Sequence, residues 1–163
     1  MAITYEPIAT TTLGSATNTV TFNPISGSYT DLILIANATL DTGSTDMCLQ
    51  FNSDTTTNYS STHLSTNGST GLSNQNSNNT VITMEYYGYM ETTIGTYIAN
   101  IMNYSNATTY KTVITRGNTT SNGVDAGIGL WRSTSAITSL KVFPYTHNFT
   151  AGSTFTLYGI KAA

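Results

Sequence analysis

The sequence predicts an all-β fold in which about ten short strands form two packed sheets or a closed barrel. Three observations carry that reading. Every apolar segment alternates with a period of two residues, and none sustains the 3.6-residue period of an amphipathic helix. The 163 residues include 34 Thr, 17 Ser and 16 Asn against 5 basic and 8 acidic side chains, so hydroxyls and amides meet the water. Thr is β-branched and suits a pleated strand with one wet face, while Asn, Ser and Gly supply turns between strands.

Taken in order, the alternating segments are 4–13, 17–22, 31–39, 47–52, 59–64, 80–90, 96–104, 109–116, 126–132, 137–143 and 153–160. Leu32-Ile33-Leu34-Ile35 is apolar on both faces, which predicts a central strand. Tyr110, Thr112, Ile114 and Arg116 alternate with Lys111, Val113 and Thr115 in a mixed way, which predicts a strand nearer an edge. Ser65–Asn79 holds Thr, Asn, Gly, Ser and Gln with Leu72 as its one aliphatic residue, and reads as a long exposed polar loop. A second polar link runs from Gly117 to Gly123. In Gly127-Ile128-Gly129-Leu130-Trp131 the indole shares its face with two glycines, so Trp131 is expected to be buried.

Length and a 39% apolar content fit one domain spanning residues 1–163 with a real core. The formal charge of −3 comes without a basic run, which argues against nucleic acid as a partner. The longest aliphatic run, Leu32 to Ala36, is far short of the roughly 20 residues a membrane helix needs, so no membrane insertion is expected. The N-terminus has neither the basic nor the apolar region of a secretory signal, which points to synthesis in a cytoplasm. Cys48 is the one cysteine, so no disulfide can form within the chain. With so few lysines to guard sheet edges, self-association is expected to cover them.

Three stretches look familiar. They are Tyr29-Thr30-Asp31-Leu32-Ile33-Leu34, the run Leu49-Gln50-Phe51-Asn52-Ser53-Asp54 with Asn58-Tyr59-Ser60, and the C-terminal part from Trp131-Arg132-Ser133 through Asn148-Phe149-Thr150-Ala151-Gly152 to Tyr158-Gly159-Ile160. In these the chain resembles small virion-associated proteins of tailed bacteriophages. The resemblance spans nearly the whole chain and rests on strand and turn residues rather than a catalytic signature. It implies a two-sheet antiparallel β-sandwich of jelly-roll type, displayed on the extracellular particle as a capsid decoration, tail or tail-fibre component. It further implies a homotrimer that contacts other virion proteins, with recognition of host surface glycans as the alternative role.

No constellation of residues suggests an enzyme, and no cofactor or metal is expected. Nucleophilic catalysis needs an oriented base, and the two imidazoles, His63 and His147, lie in polar, turn-rich surroundings that read as surface. Glu85 and Glu91 share strand parity but would stand about 20 Å apart along one strand, too far for a glycosidase pair. Asp41, Asp46 and Asp54 flank two strands and, with Asn52, offer a weak cation site without a recognised spacing. Tyr86, Tyr87 and Tyr89 form the densest aromatic cluster. Alternation places Tyr87 and Tyr89 on a wet face with Glu85 and Glu91, available for a subunit or a glycan, while Tyr86 joins Ile82 and Met84 on the other.

Overall fold

A computed structural model describes residues 4–120 and 123–161. Twelve strands make up its regular structure: β1 (Thr4–Thr12), β2 (Val20–Phe22), β3 (Asp31–Ala38), β4 (Met47–Phe51), β5 (Tyr59–Thr66), β6 (Gly71–Asn79), β7 (Ile82–Thr83), β8 (Gly95–Ile101), β9 (Lys111–Asn118), β10 (Val124–Trp131), β11 (Leu140–Pro144) and β12 (Thr154–Lys161). They form an eight-stranded sheet in the order β1-β12-β3-β8-β9-β10-β5-β6 and a four-stranded sheet in the order β2-β11-β4-β7. Every pairing is antiparallel. The two sheets pack as a β-sandwich.

Eight of the strands pair from the outside in. β1 meets β12, β2 meets β11, β3 meets β8 and β4 meets β7. The other four arrive as two inserted hairpins, β5–β6 and β9–β10, which extend the larger sheet beyond β8. The core lies between the sheets. Leu32, Leu34 and Ala36 of β3, Ala99 and Ile101 of β8, and Phe155 and Leu157 of β12 face Met47, Leu49 and Phe51 of β4 and Leu140 and Val142 of β11. The central position predicted for Leu32–Ile35 holds, since β3 runs between β12 and β8.

Trp131 is buried within the chain, as its glycine neighbours suggest. Its ring stacks on Tyr59 at 6.2 Å and 16°, tilts against Phe51 at 5.5 Å, and donates from Nε1 to Asp54 Oδ2 at 2.7 Å. The two glycines make room for side chains rather than for the indole. A Cβ on Gly129 would lie 2.6 Å from Ile82 Cγ2, and one on Gly127 would collide with Thr115 and His63. Side chains of β7, β5 and β9 therefore fill the space over these two positions.

Four expectations are corrected. Ser65–Asn79 is exposed but is no loop, because Gly71–Asn79 forms β6, paired with β5 from Thr66↔Gly71 to Tyr59↔Asn79. Composition hid this strand, since Asn, Ser and Gln are poor strand formers alone. A tight turn creates it, with Asn67 Oδ1 accepting from the Ser69 and Thr70 amides and Gly68 at φ +89. The segment expected to run as a strand over 80–90 keeps only β7, because side chains then take the backbone amides a ladder would use. The mixed strand near an edge is β9, which lies inside the sheet between β8 and β10. Finally, β2 begins at Val20, while Thr17 makes a lone bridge to Phe149. The link between β9 and β10 falls partly outside the described residues.

Candidate interaction surface

The inner face of the two added hairpins is lined by polar groups. Ser61, His63 and Ser65 of β5, Thr115 of β9 and Asp125 of β10 are all buried. Each must find a partner or carry a desolvation cost, and the chain from Ile82 to Gly88 supplies most of the partners. His63 Nε2 donates to the Thr83 carbonyl at 2.9 Å, Ser61 Oγ accepts from the Thr83 amide at 3.1 Å, and Thr115 Oγ1 donates to the Met84 carbonyl at 3.0 Å. Asp125 accepts the amides of Tyr86, Tyr87 and Gly88 and the hydroxyl of Ser65. This strap bends away from the sheet because the Asp125 carboxylate replaces a strand as acceptor.

Tyr87 lies on the strap and Tyr89 just past its end, both half-buried and outside any strand. Tyr86 turns inward, with its ring stacked over His63 at 6.4 Å and 18°. Glu85 does not share a wet face with Tyr87 and Tyr89, because it is buried and its Oε2 accepts the Met47 amide at 2.8 Å. The predicted alternation fails here since 84–89 is not extended as a paired strand. His63 is likewise buried rather than on the surface, with its Nε2 donating to the Thr83 carbonyl. His147 is exposed, as expected.

Two carboxyl groups near Asp125 are held protonated more tightly beneath the strap. Burial, then the charge of Asp125, pushes Asp46 up to about 6. Burial pushes Glu85 up as well, reinforced by Asp46 and Asp125 and opposed by the Met47 amide. Asp41 and Asp54 have partners of their own: Asp41 accepts from Asn148, and Asp54 accepts from Trp131, Thr56 and Asn58. Partial burial raises the Asp54 carboxyl, but these bonds outweigh it and hold it down at about 2. Among the described residues, no group of three or more His, Cys, Asp or Glu is placed to hold a metal ion.

The opposite face of the same four strands is the least expected surface. Leu64, Ile114, Val124 and Ile128 point away from the core, with Ile128 60% and Leu64 67% exposed. Leu64 lies across from Ala126, and Ile114 across from Ile128, so the aliphatic groups touch neighbours on adjacent strands. A shallow hollow of about 500 Å³ runs among Leu64, Ile114, Ala126 and Ile128. Contiguous exposed apolar surface is a candidate contact site. Its signal lay in β9, where Val113 and Ile114 put aliphatic residues on both parities, and in β10, where Val124, Ala126, Ile128 and Leu130 share the face opposite the buried Asp125 and Trp131.

No family model and no curated protein matches this sequence, so the surface is read from its own geometry.

Proposed function

We propose that this chain is a self-associating structural protein of a tailed-phage particle, decorating the head or forming part of the tail or a fibre. The observation that carries the self-association is the exposed aliphatic surface around Leu64, Ile114 and Ile128, where neighbouring strands put aliphatic side chains side by side. The phage assignment rests on the sequence resemblance. A jelly-roll reading is supported by the nested pairing of β1 with β12, β2 with β11, β3 with β8 and β4 with β7, which is how a long hairpin of eight strands rolls into two sheets. A surface with so few titratable groups suits a particle exposed to changing salt.

Size-exclusion chromatography with light scattering on the purified protein, followed by immunogold labelling of intact particles, tests this function. The expected result is a multimer at micromolar concentration and label on the head or tail. A monomer at every concentration, combined with binding of host glycan that shifts the resonances of Tyr87 and Tyr89, would replace the structural role with glycan recognition. The trimer number comes from the resemblance alone.

A further inference from the structure

The eight-stranded sheet ends in two very different edges. At one, β1 carries Glu6 and Pro7 with a register shift between Pro7 and Ala9, and Glu6 pairs with Lys161 of β12 at 3.1 Å. Charge, a missing N–H and a bulge are the devices that keep a foreign strand from adding to an edge. At the other, β6 is hydrogen-bonded to β5 alone, and its nine residues, Gly71-Leu72-Ser73-Asn74-Gln75-Asn76-Ser77-Asn78-Asn79, include neither a charge nor a proline; its own register shift, with Asn78 at φ +53, falls beyond Asn76 and leaves Gly71 to Asn76 in regular pairing. Every one of them is exposed or half-exposed.

The middle of that edge reads the same in both directions: Ser73-Asn74-Gln75-Asn76-Ser77. An antiparallel copy of β6 centred on Gln75 sets Ser73 opposite Ser77, Asn74 opposite Asn76 and Gln75 opposite itself. Hydroxyls and carboxamides both donate and accept, so each can pair with its own kind, which a carboxylate or an ammonium cannot do. Such a contact is isologous and closes after two copies. It would also set the outer faces of the two large sheets side by side, with Ser73, Gln75 and Ser77 of both copies between their aliphatic residues.

We infer that β6 is the seam of a two-fold dimer, in which two copies of this chain join their large sheets by antiparallel β6–β6 pairing about Gln75. The inference rests on the self-association proposed above and makes the dimer the basic unit, in place of the trimer implied by the resemblance.

Charge exchange at the axis tests it. Gln75 is exposed, so Gln75→Lys and Gln75→Glu leave the fold unchanged, as circular dichroism will verify. In the paired edge each substitution sets two like charges directly opposite each other, which is destabilising. By light scattering at micromolar concentration, the unaltered protein is expected at twice the monomer mass. Each variant alone is expected at the monomer mass, and their equimolar mixture back at twice that mass. If both variants remain multimeric and behave like the unaltered protein, the β6 seam is overturned while self-association stands. If the unaltered protein is itself monomeric at high concentration, self-association fails and the seam with it.

Discussion

The nested eight strands and the four added ones bury their inner faces by opposite means. Between β3, β8 and β12 and the smaller sheet, the contacts are Leu, Ile, Met and Phe, and the energy is that of apolar surface leaving water. Under β5 and β10 the same depth is filled by Ser61, His63, Ser65 and Asp125 beside bare glycines, and the backbone of the strap from Ile82 to Gly88 bonds Ser61, His63 Nε2 and Asp125, while Ser65 donates to Asp125. Meanwhile the aliphatic residues of the added strands, Ile114, Ile128 and Leu64, face outward. The first region is therefore indifferent to any one polar group, whereas the second depends on a few hydrogen bonds and on the protonation of buried acids.

The largest effect should come from breaking the joint between the two regions. Trp131 on β10 touches Phe51 of β4 and Tyr59 of β5, so Trp131→Ala is expected to cost about 3 to 5 kcal/mol in urea unfolding. A loss under 1 kcal/mol would mean that the regions are not coupled through this ring. Next comes Asp125→Ala, which strands the buried amides over the strap and should cost at least about 3 kcal/mol. It should also release Tyr86 and Tyr87, seen as faster exchange of their amides. Retained protection there would show that the strap is held some other way.

The comparison also predicts a pH dependence, with its sign fixed by the buried acids. Asp46 is raised to about 6 and Glu85 is raised too, so the folded state binds their protons more tightly than the unfolded chain. Their stabilisation is complete below pH 4 and is lost as pH rises through 6, by up to about 3 kcal/mol for Asp46. Asp54, held down at about 2, acts in the opposite sense and costs stability only as pH falls from about 4 towards 2. The urea midpoint should therefore peak near pH 4 to 5 and fall towards pH 8, and Asp46→Asn should flatten that fall. A midpoint that rises between pH 5 and 8 would contradict the arrangement. The smallest effect is expected outside: Ile128→Asn should change stability by under about 0.5 kcal/mol, because the side chain is exposed, yet reduce binding of a hydrophobic dye. Unchanged dye binding would remove the aliphatic surface from consideration.

Much of the nested half was legible in the sequence because its strands obey the alternation rule. Asp31–Ala38, Met47–Phe51 and Thr154–Lys161 lie within a residue or two of where period and turn residues put them. The added half was legible only in pieces. The pattern of β6 has no apolar face to read, and a strand created by its turn and its neighbour leaves no local signal. Glu85 was placed on the wet face since nothing in Met84-Glu85-Tyr86-Tyr87 announces that Asp125, far along the chain, takes the amides. The inner polarity of β5 likewise made His63 look like surface, although a hydroxyl or imidazole is at home inside when a backbone lies against it.

The central claim is that the added strands are built to meet a second copy of the chain, and amide hydrogen exchange of the unaltered protein, resolved by residue at two concentrations, tests it most directly. An edge strand in a monomer leaves about every other amide open to water, since only half of them face the neighbouring strand. The account predicts that the open amides between Ser73 and Ser77 become protected as concentration rises, while those of β1 do not change. Fast exchange at alternate positions of β6 at every concentration would contradict it.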